Sequence, residues 1–160
     1  MTRAENLIGA LALAVSDVVR GSPPDPLADA LVHLAHCRRP SIDLLASTLK
    51  LSHSATVRLV DRLERDGLAA RASDEGGDRR TRFVRLTDTG RARADHVLVA
   101  RNAALQVACA ALSSNERAAL EAVCEKMLAS LVADRVDLYR TCRLCDFAAC
   151  SACPVAEAAR

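Results

Sequence analysis

The fold is decided by the stretch PSIDLLASTLKLSHSATVRLVDRLERDGLAARASDEGGDRRTRFVRLTDTGRAR, which runs from Pro40 to Arg93. Ser41 can accept hydrogen bonds from the first free amides of a helix, and Ile42, Leu45, Ala46 and Leu49 then recur at helical spacing, giving that helix one buried face. A second helix follows at once, with Ser52 as its N-cap and Ala55, Leu59, Val60 and Leu63 as its inward stripe. Its outward side is read as His53, Ser54, Thr56, Arg58, Arg62 and Arg65. Small polar side chains followed by arginines suit a helix lying in a major groove, where hydroxyls reach base edges and guanidinium groups bind guanine or phosphate. Gly67 ends the helix.

Beyond Gly67, residues 68–73 and 82–87 have strand character, and the intervening DEGGD supplies the glycines that a tight reversal needs. Arg79, Arg80, Arg82, Arg85, Arg91 and Arg93 stand against a single acid, Asp88, so this hairpin and its exit are strongly basic although the whole chain carries only +2. Such a patch binds phosphates, and a projecting arginine can enter a narrow minor groove. A charged hairpin alone is often a solvated loop, and an arginine-studded helix alone is often an exposed face. Two short helices, a tight turn and a basic hairpin in this order make a winged helix-turn-helix. The DNA-contacting set is then Ser52, His53, Ser54, Thr56, Arg58 and Arg62 from the helix, with Asp78, Arg79, Arg80 and Arg82 from the wing.

The segments LSHSATVRLVDRLERDGL, DRR and VRLTDTG together resemble the MarR (multiple antibiotic resistance regulator) family of bacterial transcription factors over roughly residues 27–127. The combination of recognition helix, Asp-Arg-Arg wing and Leu-Thr-x-x-Gly exit is more specific than any one of them. The resemblance implies that Asp78 orients the wing and Arg80 reaches the minor groove. It also implies an obligate homodimer with intertwined terminal helices, and a DNA affinity that a small-molecule effector or oxidation can lower.

Composition agrees with a mostly α fold. At 160 residues the length fits one domain, large enough for a real core and small enough for a dimer to add stability. Two Phe, one Tyr and no Trp leave Leu, Val and Ala to build that core, which favours close-packed helices over a β-sandwich. No apolar run approaches about 18 residues, and no basic segment followed by a cleavable apolar one opens the chain, so the expected location is the cytosol.

Outside the winged segment the pattern is helical. Residues 4–19 place apolar side chains on one face, GSPPDP at 21–26 interrupts, and a further helix runs over 27–37. Thr87 caps a long helix through Ala111, and Ser113 with Glu116 forms a capping box that opens a last helix to about Tyr139. Its stripe Leu120, Val123, Met127, Leu131 and Leu138 reads as core or dimer seam. The organisation is therefore a winged helix-turn-helix at 27–87, a helical dimerisation region at 1–26 and 88–141, and a cysteine-rich tail at 142–160.

In that tail, CRLCDFAACSACPVAEAAR sets Cys142, Cys145, Cys150 and Cys153 in a C-x2-C-x4-C-x2-C array holding four of the seven cysteines. In a reducing cytosol clustered cysteines more often serve metal ligation or redox chemistry than structural disulfides. Two C-x2-C knuckles folded together offer four thiolates, a set that suits zinc or an iron–sulfur cluster, and the closing Cys-Pro tips the balance slightly toward iron–sulfur. A metal-free thiol switch and inert packing are the competing readings. Cys37, Cys109 and Cys124 lie on apolar helical faces and read as packing residues. His33 and His36 lie three apart on one helix and could share a metal, although core or surface histidines are commoner.

Nothing in the chain has the pattern of an enzyme: there is no Ser-His-Asp order, phosphate-binding glycine loop or paired-carboxylate constellation. The expected function is a homodimeric regulator, a repressor by preference, that binds a pseudo-palindromic duplex operator and carries a tail centre sensing redox or metal state. The rivals are an iron–sulfur electron-transfer protein whose basic surface docks a partner, and a zinc structural adaptor.

Overall fold

The computed structural model describes residues 2–20, 25–37, 40–73, 82–150, 153, 155 and 156. Among the described residues, seven helices and a pair of strands follow in the order α1 (Arg3–Arg20), α2 (Pro26–His36), α3 (Ile42–Leu49), α4 (His53–Arg65), β1 (Ala69–Ser73), β2 (Arg82–Leu86), α5 (Asp88–Ala108), α6 (Ser114–Leu131) and α7 (Arg135–Cys142). The starts of these helices are chemically determined. Asp25, Ser41, Ser52, Thr87, Ser113 and Asp134 each accept a hydrogen bond from an amide of the first turn that no intrahelical carbonyl can reach. At Ser113 the capping box is complete, Glu116 returning a bond to the Ser113 amide at 2.8 Å.

The core belongs to the winged segment and the helix that leaves it. Leu31 and Leu34 of α2, Leu45 of α3, Leu59, Val60 and Leu63 of α4, Ala69 of β1, Val84 of β2 and Ala94 of α5 are buried against one another. β1 and β2 pair antiparallel with Ala69 opposite Leu86 and Ser73 opposite Arg82. A third short piece joins them: Ser41 bridges Phe83, and the Val84 amide donates to the Pro40 carbonyl at 3.0 Å. The hairpin is thereby fastened to the start of the helix-turn-helix.

Two reversals set the geometry around the hairpin. Lys50 closes α3 in the left-handed region (φ 56°), and Gly67 takes φ 69° after α4, a conformation glycine adopts without a Cβ penalty. Where α5 leaves the sheet, Thr87 Oγ1 donates to the Gly67 carbonyl at 2.7 Å, the Thr87 amide donates to the Leu68 carbonyl at 3.0 Å, and the Gly90 amide donates to Thr87 Oγ1 at 3.0 Å.

The last helix departs from the sequence reading, which carried it unbroken to about Tyr139. The chain leaves helical geometry at Val132 (φ −107°, ψ 115°), and Asp134 restarts it by accepting from the Val136 and Asp137 amides at 2.7 and 2.8 Å. The break lets α7 turn back onto α3. Val132, Cys142 and Val155 form a small buried cluster of their own, and Leu138 packs beside them. By contrast, α1 and α6 bury no residue within one chain, so Leu120, Val123 and Leu131 are an exposed stripe rather than core.

Candidate functional site

The outer side of α4 presents a polar surface. Ser52, His53, Ser54, Arg58, Arg62 and Arg65 are all exposed. Ser52 Oγ accepts from the Ala55 amide at 3.2 Å and lies 3.2 Å from Ser54 Oγ, so the two hydroxyls sit together at the helix start. His53 Nδ1 is 2.9 Å from an Asp43 carboxylate oxygen, which orients the ring from the preceding helix. Among the described residues Arg62 meets only distant carboxylates, Asp25 at 3.9 Å and Asp66 at 3.8 Å, which leaves its half-exposed guanidinium available to an external anion.

Thr56 does not belong to this surface. It is fully buried, and its hydroxyl donates to the Ser52 carbonyl at 3.0 Å. The inward stripe is Thr56, Leu59, Val60 and Leu63, at positions i, i+3, i+4 and i+7, whereas Ala55 is only half-buried. The sequence reading chose the apolar alanine as the inward residue, but a threonine that returns its hydroxyl to the backbone is as easily buried.

Of the wing residues, Asp78, Arg79 and Arg80 lie outside the described residues. Arg82 is placed in β2 by its backbone, opposite Ser73. Arg85, Arg91 and Arg93 are exposed near the base of the hairpin. Arg71 on β1 is committed elsewhere: it binds Asp61 at 2.7 Å and also Glu64, and the Asp61 hydrogen bond leads the interactions that hold its charge in place.

The tail forms a second site. All four cysteines of the array line one cavity of about 440 Å³, set between the C-terminal end of α7, α6 and Arg101 of α5. Cys142 is buried, and Cys145, Cys150 and Cys153 are half-buried. The neighbouring Cys142 thiol, helped by the Arg101 charge, holds Cys145 down to about 7, while the Cys145 thiol and burial push Cys142 up. Burial pushes Cys150 up. Among the described residues no three His, Cys, Asp or Glu side chains stand close enough as arranged to enclose an ion. The donor set is nevertheless all thiol, the chemistry of zinc and iron–sulfur ligation.

Cys124 does not pack inside the chain as its apolar helical face suggests: it is exposed on α6 and lines the same cavity. No local pattern in the sequence marks it, because only the return of the tail brings α6 into range. Cys37 and Cys109 occupy the C-caps of α2 and α5. His33 is 5% exposed, edge-on to Tyr139, and burial holds it down to about 4, with the nearby His36 charge a smaller cause. His36 instead packs on the Phe147 ring.

No protein-family model matches the chain, and no curated protein matches it. Solved structures do. A MarR family protein from Bacillus stearothermophilus is 26% identical with a TM-score of 0.67, covering 78% of this chain and 89% of its own. A MarR family transcriptional regulator from Silicibacter pomeroyi is 25% identical with a TM-score of 0.63, covering 83% of this chain and 92% of its own. MepR, a transcription regulator of the Staphylococcus aureus multidrug efflux pump MepA, is 20% identical with a TM-score of 0.67, covering 82% of this chain and 99% of its own.

Proposed function

We propose that this chain, which has the winged-helix fold of the MarR-family transcription regulators, is a homodimeric repressor that binds a pseudo-palindromic DNA operator and senses redox or metal state at Cys142, Cys145, Cys150 and Cys153. The observation that carries the DNA reading is the outer face of α4. Ser52, His53, Ser54, Arg58 and Arg62 are exposed together on a helix whose opposite side is locked into the core, the arrangement a recognition helix requires. Arg79, Arg80 and Arg82 extend the contact into the adjoining groove from the wing.

The dimer reading rests on apolar surface that one chain leaves uncovered. Leu7, Leu11 and Val18 of α1, Val99 and Val107 of α5, and Val123 and Leu131 of α6 are exposed, and α1 and α5 enclose an open apolar groove of about 340 Å³. Exposed patches of this kind are the mark of an association surface. A second copy, supplying the same helices, buries them.

At the cysteine site four thiols from one short stretch line a single cavity, and an all-thiol set suits an iron–sulfur cluster or zinc, the closing Cys-Pro tipping the reading slightly toward iron–sulfur. A bound cluster supplies one-electron redox chemistry, and zinc supplies only a structural cross-link. The chain's own part is to present the thiols from a short stretch and to hold that stretch against three helices.

The reading is tested with duplex DNA selected by the purified protein from a random pool. Half-sites about 10 base pairs apart are expected, because two recognition helices related by a dyad meet successive major grooves, and inserting five base pairs should abolish binding. Binding that tolerates the insertion, or that vanishes at physiological salt for every sequence, refutes the dimeric regulator. Anaerobically purified protein should contain iron and absorb in the visible. Colourless protein with zinc reduces the centre to a staple, and protein with neither metal removes it.

A further inference from the structure

We propose that α7 is the transmission element of this regulator: it couples the cysteine centre to the recognition helix of the same chain, through Arg140 on the end of α3 and Arg143 on the buried carboxylate of Asp29. The inference rests on the metal reading above and adds how the centre acts.

The last four carbonyls of a helix have no intrahelical partner. In α3 the Ala46 carbonyl is satisfied by the Leu51 amide at 3.0 Å, and the Ser47 carbonyl receives Arg140 Nε at 2.8 Å, from 93 residues away in the chain. The two carbonyls lie just before the Lys50–Leu51 turn that aims α4. Arg140 therefore braces the pivot between the two helices of the helix-turn-helix.

Arg143 completes the attachment. Its Nε is 2.9 Å from Asp29 Oδ2, the same oxygen that Arg20 of α1 approaches to 2.8 Å. Asp29 is 3% exposed and meets both guanidinium groups, and the pair ties α1, α2 and the end of α7 at one point. Tyr139, on the same helix, sets its ring edge-on to His33 of α2.

α7 has only eight residues, too few to hold a helix in water without tertiary support. The support comes from two sides. Arg140 and Arg143 dock it on α3 and α2, while Cys142 lies between them in sequence and Cys145 follows one turn later, its amide bonded to the Cys142 carbonyl at 3.0 Å. Asp146 then fixes the turn to α5 through Asn102 Nδ2 at 2.8 Å. A metal that joins Cys142 and Cys145 to Cys150 and Cys153 closes this turn. Without it the turn is held by the docking contacts alone, and Arg140 and Arg143 leave their acceptors more readily. The metal-loaded form is thus the form with a braced α3 and the higher operator affinity.

The test uses full-length protein reconstituted anaerobically with ferrous iron and sulfide, compared with chelator-stripped protein, on the selected operator duplex. For the wild type, stripping should weaken operator binding about tenfold, a typical coupling between linked sites. The Arg140→Ala/Arg143→Ala protein should take up the same iron with the same absorption spectrum, yet bind the operator like stripped wild type whether loaded or not. Hydrogen exchange on the wild type supplies a readout that needs no variant: amides at the end of α3 and along α7 should exchange faster after stripping. A loaded double variant with full wild-type affinity, or α3 and α7 exchange unchanged by stripping, overturns the inference while leaving the metal site standing. Wild type that takes up no iron overturns the metal reading itself, and is recognised by iron content without any DNA measurement.

Discussion

Gly90 offers a prediction in which local and tertiary physics have opposite signs. It is the third residue of α5, and by helix propensity alone Gly90→Ala should stabilise the protein by about 1 kcal/mol. The structure reverses this. A Cβ built on Gly90 falls 1.9 Å from the Leu68 carbonyl oxygen and 2.9 Å from its carbon. Both are backbone atoms, so no side-chain rotation relieves the overlap, and α5 must retreat from the hairpin by roughly 1.5 Å or more to reach ordinary contact. The Thr87 amide bond to Leu68 (3.0 Å) and the Thr87 hydroxyl bond to Gly67 (2.7 Å) span that gap and would stretch with it. Two weakened hydrogen bonds at about 1 kcal/mol each and overpacking of about 1–3 kcal/mol, less the propensity gain, leave a net destabilisation of about 2–4 kcal/mol. For a chain of this size that lowers Tm by roughly 5–15 °C. Urea denaturation followed by circular dichroism measures it directly. An alanine variant as stable as the wild type, or more so, would show that α5 does not seat on Leu68 as described.

Thr56→Val should cost about 0.5–1.5 kcal/mol of stability by removing the hydroxyl bond to Ser52, with base preference in a binding-site selection unaltered; a shifted preference would put Thr56 back at the DNA. Arg58→Ala, on the exposed side of α4, should weaken operator binding by about 1–3 kcal/mol with little effect on melting, and Arg80→Ala should do the same from the wing; equal affinity of variant and wild type in a fluorescence anisotropy titration removes that residue from the interface. His33 has its folded pKa depressed from 6.5 to about 4, so the unfolded chain binds the extra proton first, and stability present above pH 6.5 should fall by about 1.4 kcal/mol per unit as pH drops toward 4. His33→Gln should flatten that part of a stability-against-pH profile, and an unchanged slope would assign the acid sensitivity to other groups.

Much of the fold was legible because the signals that start helices act over three or four residues. Ser41, Ser52, Thr87 and Ser113 cap the helices assigned to them, and Gly67 takes the left-handed turn at the end of α4. The exposed polar face of α4 was legible in the same way, apart from Thr56. There the sequence offers two candidates one residue apart, and polarity alone ranks them wrongly, since burial depends on which direction α2, α3 and the hairpin approach from. Asp134 is a good cap in itself, but an apolar stripe running past it reads equally well as one continuous helix. Only the pull of α7 onto α3 decides for a break.

The sequence by itself determined the starts of α3, α4, α5 and α6, the hairpin between two short strands, the basic character of that hairpin and the presence of a four-cysteine array. These follow from chemistry confined to a turn or to one face of one element. Tertiary structure alone decided that Gly90 must lack a Cβ, that Cys124 joins the tail cysteines at one cavity, and that Asp29 is shared by Arg20 and Arg143. Each of these depends on groups from separate elements meeting in space. Arg143 stands 114 residues from Asp29 and Arg140 stands 93 from Ser47, distances over which spacing in the chain carries no information about direction. Which guanidinium reaches which oxygen is set by how the helices stack, and stacking is a property of the whole core.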